Sequence, residues 1–273
     1  MKPPRASRTL VSSDVTAAVL ECVCYLLLSG DVLRFLIVIP CYNEEANIVS
    51  TLGDLRAHVP DVPVVLVDDG SSDDTRELVK EYLSEKVRLL RHAANLGYGS
   101  AVQTGVKYAI RERYDAVVLF DADGQHSAAD LRPAMAMIES GEADAVVGSR
   151  FLGSCDYPIP LPRMLGIRLF RFMLRVMSGL RITDPTSGLQ VLNRRALGII
   201  DSDNFSVEFP DADMLMTYSQ ASLKVVEFPA AFKPRGAGVS MHSTIKGFYY
   251  LYKVTFSMLM VASRPGREEG GAQ

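Results

Sequence analysis

The sequence predicts an α/β fold, a mostly parallel sheet with helices on both faces. Short runs that are apolar at nearly every position recur along the chain, and amphipathic stretches alternate with them. Polar residues collect just past the ends of the apolar runs. Strands apolar on both faces belong to sheets covered on both sides, and their alternation with helices gives the parallel arrangement.

The elements follow in order. FLIVIP (Phe35 to Pro40) reads as a buried strand closed by proline, and EEANIVSTLGDLRAH then sets Ile48, Leu52 and Leu55 at helical spacing. The same alternation repeats in VPVVLVDDG and DDTRELVKEYL, in KVRLLRH and GSAVQTGVKYAIRERY, and in DAVVLFDAD and AADLRPAMAMIES. ADAVVGSR closes the series. With 273 residues, 48% hydrophobic and 22% charged, the chain fits one sizeable core with appendages. The expected division is an N-terminal extension over 1–32, a catalytic domain over 33–240, and a C-terminal apolar helix and tail over 241–273. In the extension, Lys2, Arg5 and Arg8 precede the apolar run VTAAVLECVCYLLLSG, which Glu21 interrupts and Asp14 adjoins. That run suits neither a signal peptide nor a bilayer span, and it reads as a docked helix.

A net charge of -3 argues against nucleic acid as a partner. Cys22, Cys24, Cys41 and Cys155 have no C-x-x-C spacing, so neither a zinc site nor a disulfide framework is expected. A cytoplasmic location follows.

In open α/β sheets, ligands bind beyond the carboxyl ends of the strands. Those ends carry Pro40, Tyr42, Asn43 and Glu44, then Asp68, Asp69 and Gly70, then Asp121, Asp123 and Gln125, then Ser149 and Arg150. Single acidic residues there often cap the next helix, as expected for Asp73 and Ser127. Asp121 and Asp123 together exceed what one helix start needs, and two like charges so close call for a cation or a proton between them. An EF-hand fails, because Gln125 and His126 stand at its fifth and sixth positions and no closing glutamate follows. VVLFDADG resembles the haloacid-dehalogenase phosphotransferases, but those carry Thr or Val where Gln125 stands, and usually on the first strand. The remaining reading is a carboxylate pair holding Mg²⁺ or Mn²⁺ against a diphosphate.

Taken together, VIPCYNEE, VVLVDDGSSDDT, NLGYGSAVQTG, DADGQH, GSR and TDPTSGLQVLNRRAL resemble family 2 of the inverting glycosyltransferases, within it the dolichol-phosphate mannose synthase-like and bacterial polyprenyl-phosphate sugar transferases. The resemblance runs from about Phe35 to Ser240. It implies the GT-A (Rossmann-like) fold and metal-dependent, inverting hexosyl transfer. It implies Pro40, Tyr42, Glu44, Asp68 and Asp69 around the nucleoside of a nucleotide-sugar donor, and Asp121, Ala122, Asp123 and Arg235 toward the diphosphate. Asp121, Asp123 and Gln125 would hold Mg or Mn; Arg150, Arg163, Arg168 and Ser187 would meet the acceptor. The family often continues the Arg235 motif with a lysine, whereas Met241 and His242 follow Ser240 here.

Between Tyr157 and Thr183 there is no acidic residue, while Arg163, Arg168, Arg171, Arg175 and Arg181 stand among apolar residues. Arg168, Arg171 and Arg175 share one helical face. An unbalanced basic and apolar helix suits an anionic membrane surface and a polyprenyl-phosphate acceptor, which predicts a peripheral protein at the cytoplasmic face. GFYYLYKVTFSMLMVA, interrupted by Lys253, reads equally as a core helix, an interfacial helix or a dimer contact. A homo-oligomer or a membrane-protein partner fits such a segment. Glu208, Asp211 and Asp213 lie where relatives with hydroxyl acceptors place a base, and Asp211 after Pro210 equally suits a helix cap. A phosphate acceptor, already an anion near neutral pH, needs no base. Transfer to a saccharide hydroxyl, and a nucleotide-sugar binding subunit without turnover, are the alternatives.

Overall fold

The structure, a computed structural model, describes residues 33–202, 205, 210–236 and 244–263. The expected extension over 1–32, Glu208, and the boundary near 240 lie outside the described residues.

Seven strands form one sheet in the order β3-β2-β1-β4-β6-β5-β7. They are β1 (Phe35–Cys41), β2 (Val64–Asp68), β3 (Val87–Arg91), β4 (Ala116–Leu119), β5 (Ala145–Cys155), β6 (Gln190–Asn193) and β7 (Val225–Phe232). The helices are α1 (Ile48–His58), α2 (Thr75–Lys80), α3 (Tyr98–Arg111), α4 (Leu131–Glu139), α5 (Leu161–Ser178), α6 (Arg194–Asp201), α7 (Ala212–Gln220) and α8 (Thr244–Ser263). The first five strands and the helices between them match the sequence reading. β1, β2 and β4 are buried at every position, as strands covered on both faces must be.

The structure departs from the sequence reading around β6. This strand inserts between β4 and β5, antiparallel to both, with Leu119 opposite Gln190 and Val147 opposite Gln190 on the other side. Because β6 runs backwards, the segment that enters it, residues 183–189, arrives at the carboxyl ends of β4 and β5. Asn193 ends the strand and caps α6, its side chain accepting from the amides of Arg195 and Ala196.

The core runs from Leu36, Val38, Val117 and Val147 in the sheet to Phe170 and Leu174 of α5, Leu215 and Tyr218 of α7, and Val254, Met258 and Val261 of α8. The C-terminal helix thus contributes one face to the core. Its other face leaves Tyr249, Tyr252, Phe256, Leu259 and Met260 exposed. Ser127 makes no side-chain capping bond; the amide of Ala128 is met instead by Asp54 Oδ2 at 2.8 Å.

Candidate functional site

The carboxyl edge of the sheet builds a cleft from three groups of side chains. At the ends of β1 and β2, Pro40 lies within the buried strand while the Tyr42 ring is 45% exposed, free to stack on a planar ligand. Glu44 is buried; Asn47 Nδ2 donates to it at 2.7 Å and Arg235 Nη2 donates to its other oxygen. Burial raises the Glu44 carboxyl above its usual range, and Asn47 and Arg235 oppose that rise. Arg235 therefore sits with the β1 carboxylate. Asp68 accepts from the Ser71 amide at 2.8 Å, while its Oδ2 is buried with no hydrogen-bond partner. Asp69 is fully engaged by the protein: His92 Nδ1 pairs with it at 2.6 Å, and the amides of Leu96 and Gly97 donate at 2.9 and 2.8 Å. Gly70 has φ +75, and a Cβ there would lie 2.8 Å from the Ala94 carbonyl carbon, so only glycine lets the 92–97 loop close on Asp69.

Past β4, Asp121 and Asp123 have different surroundings. Tyr98 Oη donates to Asp121 Oδ1 at 3.0 Å, and His126 Nε2 pairs with Oδ2 at 3.0 Å. The backbone of Gly188, delivered by the reversed β6, lies so close that a Cβ would stand 2.4 Å from Asp121 Oδ2. Burial pushes the Asp121 carboxyl up, but His126, Tyr98 and the charge of Arg150 outweigh it and hold it below its usual range. Asp123 has weaker support, from the Gln125 amide at 3.0 Å, and burial together with the Asp121 charge raises it. Ala122 between them is buried, its carbonyl accepting from Thr51 Oγ1 at 3.0 Å. Gln125 spends its amide nitrogen on the Lys233 carbonyl at 3.4 Å, and Lys233 N donates back to the Gln125 carbonyl at 2.8 Å. His126 packs edge-on against Phe232 at 4.8 Å. The whole Asp121 to His126 loop is thus pinned to the end of β7.

This donor set suits a hard divalent cation. Among the described residues, no three His, Cys, Asp or Glu side chains converge to enclose an ion by themselves. Mg²⁺ sites on nucleotide enzymes commonly use one or two carboxylates and take their remaining oxygens from phosphates and water. Asp123, raised by its burial and by Asp121, is the carboxylate such a cation would relieve.

On the far side, Arg150 is buried. Its Nε and backbone amide donate to Asp184 Oδ2 at 2.6 and 3.2 Å, Nη1 donates to Tyr157 Oη at 3.3 Å, and the guanidinium lies 4.5 Å over the Phe232 ring. Asp184 is in turn held by its own amide, which donates to Glu227 of β7 at 2.8 Å. Ser187 is buried and its Oγ makes no hydrogen bond. Arg163 is half-buried near Asp211, whose carboxyl its charge acts to lower. Arg168 is exposed on α5 with Leu161, Leu165, Leu169, Phe172, Arg175 and Val176. The expected three-arginine face is corrected to two. Arg171 turns inward, 4.0 Å over the Phe151 ring, with Nε and Nη2 buried and unpartnered.

Asp211 does not cap α7 through its side chain. Its Oδ2 accepts from Tyr250 Oη of α8 at 2.5 Å. Burial, with Asp213 and Asp121 nearby, pushes its carboxyl up to about 7. Asp213 is 1% exposed, and accepts from the amides of Asp211 and Met214 and from Ser257 Oγ.

Residues 36–199 match the family described as Glycosyl transferase family 2. The chain belongs to that family. It is 32% identical over 223 residues to an undecaprenyl-phosphate mannosyltransferase of Micrococcus luteus, covering 77% of this chain and 88% of that protein. It is 30% identical over 219 residues to a polyprenol monophosphomannose synthase of Mycolicibacterium smegmatis, covering 77% and 81%. Among solved structures, the glucosyl-3-phosphoglycerate synthase of Mycobacterium tuberculosis, in complex with Mn2+, uridine-diphosphate and phosphoglyceric acid, superposes with a TM-score of 0.66 at 17% identity, covering 91% of this chain and 84% of that one. The fold is GT-A.

For this glycosyltransferase, sequence motifs identified the strand-end residues but not the groups that hold them. Tyr98, His126, Asp184 and Gly188 all lay inside quoted motifs, and only their neighbours across the sheet give them a task. Tyr250, in an apolar helix far along the chain, carried no signal.

Proposed function

We propose that the chain transfers a sugar from a nucleotide-sugar donor to a polyprenyl phosphate, with inversion, as a peripheral protein at the cytoplasmic face of a membrane. The observation that carries this reading is the exposed side of two helices: on α5, Leu165, Leu169 and Phe172 stand out with Arg168 and Arg175, and on α8 Tyr252 and Phe256 are exposed. Such a face suits an anionic lipid surface. Tyr250, on the inner face of α8, reaches the site through Asp211. Among the described residues no helix is long and apolar enough to cross a membrane. The names of the relatives, a mannosyltransferase to undecaprenyl phosphate and a polyprenol monophosphomannose synthase, support the same acceptor class.

In this reading Tyr42 stacks on the base, and Asp68 Oδ2, which makes no hydrogen bond and lies 3.8 Å from Arg91 Nε, accepts from it or the ribose. Pro40, Ala122 and Asp69 shape that pocket, Asp69 through the loop it holds. Glu44 carries Arg235 toward the diphosphate. Asp121, Asp123 and Gln125 would hold Mg²⁺ or Mn²⁺, and such a cation would offset charge on the nucleoside diphosphate as it leaves. Asp121, fixed by Tyr98, His126 and Gly188, sets the position of the pair. Arg150, Arg163, Arg168 and Ser187 face the acceptor phosphate, whose oxygen attacks the anomeric carbon opposite the leaving group. As an anion it needs no base.

Transfer to a saccharide hydroxyl is the second reading, and one observation favours it. Asp211, its carboxyl pushed up to about 7, suits a general base, and Asp213 accepts from its backbone amide at 3.1 Å. Product analysis with a panel of nucleotide sugars, a short polyprenyl phosphate and oligosaccharide acceptors, with and without EDTA, decides between them. Glycosyl phospholipid formed only with metal is the expected result. Sugar transfer to hydroxyls alone overturns the acceptor assignment, and donor binding without any product identifies a binding subunit. EDTA-insensitive transfer overturns the metal.

A further inference from the structure

Two side chains of the C-terminal helix reach the acidic start of α7. Tyr250 Oη donates to Asp211 Oδ2 and Ser257 Oγ donates to Asp213 Oδ2, each at 2.5 Å. Spaced seven residues apart, they project from one face of α8. Their two targets differ. Asp213 is a structural anchor, tied to the amides of Asp211 and Met214 as well as to Ser257. Among the described residues, the Asp211 carboxylate has Tyr250 as its hydrogen-bond donor. The Tyr250 ring is itself set edge-on against Phe170 of α5 at 5.9 Å, so its hydroxyl is aimed by two packed helices.

We propose that Tyr250 is a positioning residue of the transferase, whose hydroxyl fixes the Asp211 carboxylate on the acceptor side of Asp121 and Asp123 and makes the C-terminal helix part of the acceptor site. The placement on the acceptor side rests on the function proposed above. The proximity does not: Asp121 acts electrostatically on Asp211, and Tyr98, which donates to Asp121, is raised by both carboxylates. The groups that act on Asp211 are Tyr250 from α8, Asp213 from α7, Asp121 past β4, Arg163 from α5 and, beside Asp121, Tyr98 from α3. A phenylalanine at 250 would keep the ring packing on Phe170 and remove only the bond to Asp211. On that reading the acceptor meets a carboxylate held at one place, under the opposing charges of Arg163 and Asp121.

The sign of the perturbation is fixed by the hydrogen bond. Burial raises the Asp211 pKa to about 7, and the Tyr250 hydroxyl acts against that rise by stabilising the anion. Tyr250→Phe removes this donor and moves the Asp211 midpoint further up, by about one unit. The experiment uses the full chain as wild type, Tyr250→Phe, Asp211→Asn and the double variant. Carboxyl ¹³C NMR of aspartate-labelled protein, with Asp211 assigned by its loss in Asp211→Asn, reads the midpoint without any acceptor. An upward shift of about one unit is expected, and an unchanged midpoint overturns the proposal. Steady-state transfer to a short polyprenyl phosphate then tests the role. Tyr250→Phe should raise the acceptor KM by about fivefold or more at unchanged donor KM, and should add no further loss in the Asp211→Asn background. Independent losses in the two backgrounds, or a rise in donor KM instead, overturn it. If no lipid phosphate is turned over by wild type, the proposed acceptor falls, while the NMR titration still decides whether Tyr250 holds Asp211.

Discussion

Removing Asp184 should destabilise the protein by about 3–5 kcal/mol, because it leaves a buried guanidinium without its counter-charge. The Arg150 and Asp184 side chains are 2% and 0% exposed, and Nε lies 2.6 Å from Oδ2. In Asp184→Ala the guanidinium keeps Tyr157 Oη at 3.3 Å and the Phe232 ring face at 4.5 Å, neither of which carries a formal negative charge. Against a typical total stability of about 5–15 kcal/mol, that loss is a large fraction. Urea is the denaturant of choice, since guanidinium salt would screen nearby charges. The double variant Arg150→Met/Asp184→Leu should recover most of the loss, because it buries no charge at all. A cost below about 1 kcal/mol for Asp184→Ala, or a double variant less stable than either single one, would refute the reasoning. The same double variant separates two tasks of Arg150. If Arg150 meets the acceptor as proposed, the double variant is folded and binds donor but has lost acceptor affinity; retained turnover would reduce Arg150 to a structural role.

Three further outcomes are expected. Gly188→Ala places a methyl group 2.4 Å from Asp121 Oδ2 and should lower turnover by about tenfold or more with little change in melting temperature, as read by parallel activity and melting assays; full activity would show that Asp121 tolerates displacement. Arg168→Glu/Arg175→Glu, both exposed on α5, should release the protein from anionic vesicles at low salt while nucleotide binding is kept, and unaltered sedimentation would remove the membrane assignment from this face. Asp211→Asn should change the pH dependence of stability. Because the folded pKa of about 7 lies above the unfolded value, Asp211 contributes stability that is complete below about pH 4 and is lost as pH rises through 7. The asparagine variant, which does not titrate, should gain on wild type across that window by up to ~4 kcal/mol. Melting curves at pH 5 and pH 8 check this, and an equal gap at both would contradict the raised pKa.

Local pattern along the chain suffices for the strands β1 to β5, the helices between them, and the edge at which polar residues gather. These are short-range matters: periodicity and a turn residue specify a strand or helix within a dozen positions, and the geometry of a parallel sheet then puts Tyr42, Asp69, Asp121 and Arg150 at one edge. The paired Asp121 and Asp123 were legible for the same reason, since two carboxylates one residue apart demand compensation wherever they fold. How each is compensated depends on elements that meet only in the folded molecule. β6 runs against its neighbours, and that reversal brings Gly188 against Asp121 and Asp184 against Arg150, partners separated by tens of residues along the chain. Arg171 lies on the same broad helical face as Arg168 and Arg175 but on its edge nearer the buried Phe170 and Leu174, and there the Phe151 ring face receives its guanidinium. Tyr250 looked like one apolar residue among many until α8 packed beside α5 and α7 and set its hydroxyl on Asp211. Local pattern fixes which face of an element is apolar. The partner of a buried charge is chosen by elements distant in sequence, and no local pattern encodes their approach.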